Sequence, residues 1–272
     1  MISKLVEQSR IRKALNDCRS NGFEILEPED CIKKAISEYG DSLSVSCSFG
    51  SCSVVILHMA LQIKPDIKVV FENTGVEYPE TLSYRDLLVK DWNLNYFETK
   101  PKKTFWDCVK NYGFPLYRGG HGKPQCCSYL KEFPFKKFVI EHNIKATITG
   151  LRASESRNRM FVIGIYGQSY FTQKYTPIMK INPIAFWTSD QVWSYLHSHN
   201  IPINQVYLKG AERSGCMPCT GFKDWEKQLS KTNPKMYRII QRMKGVELLD
   251  NFIALEDKIA DTCGQRNIKD LL

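Results

Sequence analysis

The chain has 272 residues, of which 43% are hydrophobic and 25% charged, with a formal net charge of +9. That balance is the composition of a water-soluble globular protein large enough to bury a sizeable core. It excludes a spanning helix of about 20 apolar residues, because the longest apolar candidate, Val54 to Leu61, is interrupted by His58. The start, Met1-Ile-Ser-Lys-Leu-Val-Glu-Gln, lacks the apolar core of a signal peptide, so a cytoplasmic protein with no membrane partner is expected. The positive charge favours an anionic partner: a nucleotide, a nucleic acid or an acidic protein. The dense basic run Lys100 to Lys103 also reads as a solvated loop.

Two helices are expected before residue 42, the second opened by Pro28 and closed by Gly40. Short β-branched runs then alternate with helix-period segments, which argues an α/β fold with a largely parallel sheet. Strands are expected at 43–48, 67–71, 94–98 and 146–150, with helices at 53–61, 80–92 and 133–143. Beyond residue 160 the pattern changes. Thr188 caps a further helix, and the chain from Ser230 reads as helical with a break at Asn233-Pro234. Trp187 and Trp193 are expected in the core.

The chain has ten cysteines, which in a cytoplasmic protein are reduced and serve as ligands, nucleophiles or core. An adjacent pair, Cys126-Cys127, is answered far downstream by Cys216-Met-Pro-Cys219. Each short pair aims two soft sulfurs at one point, as an iron–sulfur centre requires. A structural zinc site and four unrelated core cysteines are the alternatives.

Between the first strand and its helix lies Ser48-Phe-Gly-Ser-Cys-Ser53. At such a turn backbone N–H groups and a helix N-terminus converge on an anion. Gly50 permits close approach, and Ser48, Ser51 and Ser53 supply small hydroxyls. Asn73-Thr-Gly75 forms a turn that can present backbone groups to an adenine or ribose edge. Arg152, Arg157 and Arg159 concentrate three permanent cations in one short segment, suited to gripping phosphate or sulfate.

Four ordered signatures carry a resemblance over about residues 40 to 222. They are Ser48 to His58; Phe71-Glu-Asn-Thr-Gly-Val-Glu-Tyr-Pro-Glu80; Gly150-Leu-Arg-Ala-Ser-Glu-Ser-Arg-Asn-Arg159; and Asn182-Pro-Ile-Ala-Phe-Trp-Thr-Ser-Asp-Gln-Val-Trp193. Together they resemble the phosphoadenosine phosphosulfate (PAPS) reductase family of the adenine nucleotide alpha hydrolase fold. The resemblance implies a parallel-sheet, Rossmann-like α/β domain over 42–222, flanked by a helical N-terminal segment, 1–41, and a helical C-terminal tail, 223–272. It implies nucleotide binding by Ser48, Phe49, Gly50, Ser51, Ser53, Asn73, Thr74, Gly75, Gly150, Arg157 and Arg159. The iron–sulfur branch further implies a 4Fe-4S cluster on Cys126, Cys127, Cys216 and Cys219 beside the nucleotide. Lys131 matches a family lysine placed between cluster and substrate.

Two reactions use this scaffold. Sulfonucleotide reductases attack the sulfate of adenylyl sulfate (APS) or PAPS with a C-terminal cysteine and release sulfite; the primary expectation is this one. Cys263-Gly264 resembles that tail, making Cys263 the nucleophile, with Lys131 and Arg152 stabilising substrate oxygens; Thr262 and Arg266 depart from the tail pattern. The rival is an AMP-forming ATP pyrophosphatase, using magnesium, that activates DNA or transfer RNA for sulfur insertion, as in DNA phosphorothioation. The pyrophosphatase loop carries Lys and Asp where this chain has Ser51 and Cys52, which favours the reductase. The wording of the Asn73 and Glu155 signatures favours the rival. A degenerate binding subunit is a third reading. Expected partners are a thioredoxin-like thiol reductant or a cysteine desulfurase, a nucleic acid, and a second copy in a homo-oligomer. Cys52, at a helix N-terminus, is expected either as a reactive thiol or as a small packing residue.

Overall fold

The computed structural model describes residues 3–115, 125–173, 176–222 and 224–245. In chain order the first elements are α1 (Lys4–Ser20), α2 (Pro28–Tyr39), β1 (Leu43–Ser46), α3 (Ser51–Ile63), β2 (Lys68–Glu72) and α4 (Pro79–Asp91). Next come β3 (Tyr96–Thr99), α5 (Phe105–Tyr112), α6 (Gln125–Cys127), α7 (Phe133–Glu141), β4 (Ala146–Ile148) and α8 (Arg157–Tyr166). The last are β5 (Ser169–Thr172), β6 (Ile178–Ile181), α9 (Ser189–Ser198), α10 (Gln205–Leu208), α11 (Trp225–Thr232) and α12 (Pro234–Gly245). Contacts divide the chain into two compact units. One comprises Met1–Phe71, Leu88–Glu98 and Phe135–Ile203; the other comprises Glu72–Leu87, Thr99–Pro134 and the described residues from Asn204 on.

The first unit is organised by a six-stranded sheet in the order β3-β2-β1-β4-β6-β5. β1 lies parallel to both β2 and β4, and β4 lies parallel to β6; β5 closes the edge antiparallel to β6. The central strands are apolar because both faces are covered: Val45, Val69, Val70, Ala146 and Ile148 are fully buried. The two buried hydroxyls in this stretch satisfy each other across β1 and β4, with Ser44 Oγ 3.3 Å from Thr147 Oγ1. α3 is apolar nearly all round, burying Val54, Val55, Ile56, Leu57 and Ala60, as a helix enclosed by its neighbours must. The α/β class and parallel sheet expected from the sequence are therefore present.

The N-terminal segment is part of this unit rather than an appendage. Ala14 and Cys18 of α1 share a core with Ala153, Met160, Ile163 and Ala185. Gln168, buried, donates to the carbonyl of Leu26 (3.1 Å) and accepts from its N–H (2.8 Å).

The second unit gathers Val76, Tyr78, Phe105, Trp106, Leu130, Met217, Trp225, Leu229, Met236 and Ile240 round one core. The phenol of buried Tyr78 accepts from Gln228 Nε2 and Thr232 Oγ1, each at 3.2 Å. Residues 224–245 thus complete a core rather than trail from it.

Several elements differ from expectation. α3 starts at Ser51, two residues early, because Gly50 already takes the capping position. The segment expected to be an arginine loop turns into α8 from Arg157, where Ser156 Oγ caps the N–H of Arg159 at 3.2 Å. α5, β5 and β6 carry no expectation. β5 and β6 are only four residues each, and their periodicity is too short to declare itself. Trp187 and Trp193 are half-buried rather than core, with ring centroids 5.9 Å from Tyr195 and 6.4 Å from His197.

Candidate functional site

In the first unit, the turn after β1 is shaped by its backbone. The N–H of Cys47 extends the β1–β2 ladder to the carbonyl of Val70 at 2.9 Å. Burial pushes the Cys47 thiol up to about 11, which leaves it an inert core residue. Phe49 then adopts φ 54°, a left-handed conformation that bulky residues avoid. Its ring makes the geometry affordable: fully buried, it packs edge-on to Phe71 at 5.4 Å and against Tyr96 at 6.4 Å. Strain held in place by packing is a mark of a built site.

Reversal at Phe49 delivers Gly50 to the N-cap of α3. There Ser53 Oγ accepts from the Gly50 N–H (3.0 Å) and donates to the Gly50 carbonyl (2.9 Å). Ser53 is therefore committed to holding the turn, with Ser48 Oγ 3.3 Å from its oxygen. Ser48 is exposed, and Ser51 and Cys52 are half-buried in the first turn of α3. The first N–H groups of a helix have no partner within it and carry its positive dipole end, so this turn suits an anion. The first turn of α3 contains no carboxylate to oppose one.

Gly150, after β4, lies against the same turn. A Cβ there would stand 2.7 Å from the carbonyl carbon of Cys52 and 2.9 Å from the N of Ser53. The backbone that leads into the arginine segment is thereby pressed onto the first turn of α3.

The three arginines take different roles. Arg152 is buried, and its Nη1 donates to Glu7 Oε1 and to the carbonyl of Trp187, both at 3.1 Å, while Nη2 donates to Ser189 Oγ at 3.2 Å. Glu7 Oε1 also accepts from the N–H and Oγ of Ser189, each at 2.8 Å. This network ties α1 and α9 to the segment. Arg157 is exposed at the first position of α8, and Arg159, in the same turn, ion-pairs with Glu155. Two cations at a helix N-terminus oppose its dipole, an arrangement that a bound anion relieves.

In the second unit, the four cysteines of the paired motifs share one electrostatic neighbourhood. Residues 76–77 and 216–217 run side by side: Glu77 and Cys216 form an antiparallel bridge, and the N–H of Met217 donates to the carbonyl of Val76 at 2.8 Å. The Cys126 thiol is held well above the ordinary range by its hydrogen bond with Cys127, by burial, and by the charges of Cys127, Cys216 and Cys219. Burial first, then Glu77 and Cys219, raise Cys216 against the pull of Lys131. Lys131 sits in a π-helical turn, Ser128–Glu132, just after the cysteine pair. Its ammonium is held firmly protonated, by Cys216 first and, against the cost of burial, by Glu77, Glu72 and Cys219.

Among the described residues no group of three or more His, Cys, Asp or Glu side chains is placed to hold a metal ion. The chemistry of the donor set, four cysteine thiols in one another's electrostatic field, is that of a thiolate-ligated cluster. Thr220, next to Cys219, is 3% exposed and its hydroxyl has no hydrogen-bond partner among the described residues. At Gly221 a Cβ would press to 3.3 Å from Cys219 Sγ, so glycine keeps that sulfur's surroundings open. Four crowded thiols cannot all ionise alone, whereas a cationic iron–sulfur core requires them as thiolates and relieves their repulsion.

The Asn73-Thr-Gly75 turn belongs to this unit. Asn73 Oδ1 accepts from the N–H of Gly75 (3.0 Å), which has φ 79°. Thr74 turns its hydroxyl to Glu77 Oε1 (2.8 Å) and Cys216 Sγ (3.2 Å). Glu77, which carried no expectation, is 2% exposed. Its neighbours Val76 and Tyr78 are buried as well, so no alternation marks it in the sequence. Cys263 lies outside the described residues.

Residues 42–222 match the family model of the phosphoadenosine phosphosulfate reductase domain. An adenosine 5'-phosphosulfate reductase of Geobacillus kaustophilus (strain HTA426) is 30% identical over 192 residues, covering 70% of this chain and 78% of the relative. One of Pseudomonas aeruginosa (strain LESB58) is 32% identical over 198 residues, covering 71% and 72%. Among solved structures, the phosphoadenylyl-sulfate reductase of Candida auris in its phosphate complex has a similar fold. Its TM-score is 0.56 at 21% identity, covering 70% of this chain and 88% of that one.

Proposed function

The chain belongs to the phosphoadenosine phosphosulfate reductase family, and from that premise we propose that it is a sulfonucleotide reductase carrying a 4Fe-4S cluster. What supports this reading is the match of residues 42–222 to the family together with the pairs Cys126-Cys127 and Cys216–Cys219, the second held against residues 76–77 by the Glu77–Cys216 bridge. The substrate class is an adenylyl sulfate, APS or PAPS. The loop at Ser48 to Ser53, with Gly150 against it, takes the phosphate through helix N–H groups and the Ser48 and Ser51 hydroxyls. Arg157 and Arg159 grip further anionic oxygens. Arg152 acts as a positioning residue, since its guanidinium is bonded to Glu7, Trp187 and Ser189. The lack of a carboxylate in the first turn of α3 suits a ligand without the magnesium-bound triphosphate of a pyrophosphatase.

In the reaction, the thiolate of Cys263 attacks the sulfate sulfur. A bond forms between the two sulfurs, the bond from sulfur to the phosphate oxygen breaks, and AMP (or its 3'-phosphorylated form) leaves with the electron pair. A dithiol partner of the thioredoxin type then attacks Cys263 Sγ, releasing sulfite as the dithiol becomes a disulfide. Lys131 stabilises anionic oxygens during transfer. A cluster on Cys126, Cys127, Cys216 and Cys219 would supply a rigid charge centre of tunable potential.

The test is to incubate anaerobically purified protein and a dithiol with APS, PAPS or ATP and to measure sulfite and pyrophosphate. Sulfite production that vanishes in Cys263→Ser supports the reductase. Pyrophosphate from ATP without sulfite from either sulfonucleotide rejects it in favour of nucleic-acid thiolation chemistry.

A further inference from the structure

We propose that the chain forms a twofold dimer in which β5 pairs antiparallel with β5 of a second copy, and Phe171 of each copy enters a cavity beside Ser169 of the other. β5 is an edge strand: among the described residues its ladder partner is β6 alone. The phase of that ladder fixes which backbone groups are left over. The N–H of Asn182 donates to the carbonyl of Gln168 at 2.9 Å, and the register sets Tyr170 opposite Lys180 and Thr172 opposite Ile178. Opposed residues of an antiparallel pair alternate between bonded and non-bonded, so Gln168, Tyr170 and Thr172 turn their N–H and C=O groups to β6. Ser169 and Phe171 turn theirs to the open edge, and both residues are exposed.

Edges of this kind are normally blunted by charge, proline or a bulge, and Ser169-Tyr-Phe-Thr172 carries neither charge nor proline. A second β5 related by a twofold axis at Tyr170 sets Ser169 of each copy opposite Phe171 of the other, and each such pair exchanges both of its backbone hydrogen bonds. Residues directly opposite share a face of the sheet. Within one copy, Ser169 shares its face with Ile181, and Phe171 with Met179. Ser169, Met179 and Ile181 line a cavity of about 230 Å³ together with Phe23, Leu26 and Tyr39. A cavity of about 150 Å³ accepts a benzene ring, and Phe171 is 54% exposed. The register therefore brings an exposed phenyl ring against a cavity large enough to take it, once on each side of the axis. Apolar surface continues on α8, where Phe161, Ile165 and Tyr166 are exposed and the Tyr166 ring lies 6.4 Å from that of Tyr170. With Phe171 these side chains offer about 400 Å², half of the roughly 800 Å² that a stable dimer buries on each copy. Strand backbone and the walls of the cavity supply the remainder.

The experiment is sedimentation equilibrium of the full-length protein, comparing wild type, Phe171→Asp and Tyr170→Cys, with thermal melting as the check on folding. Wild type should be a dimer. Phe171→Asp removes an anchoring ring from both sides at once and should weaken the dimer by at least about thirtyfold while still melting cooperatively. Tyr170 meets its own counterpart across the axis in a non-bonded pair, the closer of the two antiparallel spacings and within reach of a disulfide. Under mild oxidation Tyr170→Cys should therefore form a covalent dimer much faster than wild type, whose native cysteines set the baseline. A wild type that stays monomeric at every concentration overturns the proposal and leaves the edge to a strand of another protein. A dimer that Phe171→Asp leaves intact overturns it as well, because the copies then meet elsewhere. Should Phe171→Asp fail to melt cooperatively, Tyr170→Cys decides: rapid cross-linking at that position supports the pairing, and a dimer that does not cross-link there overturns it.

Discussion

Gly150 and Cys52 meet backbone to backbone: a Cβ on Gly150 would stand 2.7 Å from the Cys52 carbonyl carbon and 2.8 Å from its oxygen. Neither neighbour is the end of a flexible side chain, so nothing can swing away. Gly150→Ala must push β4 and the first turn of α3 apart. The expected cost is about 1–3 kcal/mol of stability. Affinity for AMP should fall with it, because the displaced backbone carries the N–H groups proposed to bind the phosphate. Thermal melting and calorimetric titration with AMP would check both; an alanine variant that binds AMP like wild type contradicts this account of the loop.

Arg157 is exposed and opens α8, while Arg152 is buried in a network with Glu7. Their substitutions should separate cleanly. Arg157→Ala should leave the melting curve within about 0.5 kcal/mol of wild type. It should weaken binding of the sulfonucleotide by about tenfold to a hundredfold, the worth of a charge-assisted hydrogen bond of about 1.5–3 kcal/mol. Titration of the two proteins with the same nucleotide measures the difference.

Arg152→Met should act first on stability. Removing one partner of a buried pair strands the other charge, at about 3–5 kcal/mol. Because Glu7 Oε1 also accepts from Ser189, Glu7→Gln keeps part of the network and should cost less. The double change Glu7→Leu with Arg152→Met should recover most of the loss. Chemical denaturation of the three variants tests the order, and a fully stable Arg152→Met would exclude the positioning role.

His58 on α3 predicts a pH dependence. Its Nδ1 lies 2.9 Å from the Tyr195 hydroxyl, and its ring lies 5.6 Å from Trp92 and 5.2 Å from His199. Burial first, and His199 second, lower its pKa below the ordinary 6.5. Below 6.5 the unfolded chain therefore binds a proton that the folded chain resists, so this contribution to stability is complete above 6.5 and is lost as pH falls through the folded value. The melting temperature should drop from pH 7 to pH 5, with a shallower slope in His58→Gln. Equal slopes in the two proteins would dismiss His58 as the source.

Much of the architecture is legible in the sequence, because it rests on local patterns. The strands β1, β2 and β4 are short apolar runs, and each following or preceding helix carries its own period and punctuation at Pro28, Gly40 and Pro79. The paired cysteines and the Ser48 to Ser53 turn announced themselves by spacing alone. α8 escaped because its first turn is written in arginines, which an N-terminus does not favour. β5 and β6 escaped because four residues do not establish a period.

What local patterns could not reach are relationships across long stretches of chain. Chemically alike in the sequence, Arg152 and Arg157 part company only because Glu7 of α1 folds onto one of them. Glu77 becomes a buried neighbour of Cys216 only when residues 76–77 and 216–217 pair. Burial and field strength depend on every element surrounding a group, so sequence specified which side chains were available for sulfur and phosphate chemistry. Tertiary packing decided which were charged, enclosed and aimed, because low-dielectric surroundings are a property of the assembled core and not of any segment.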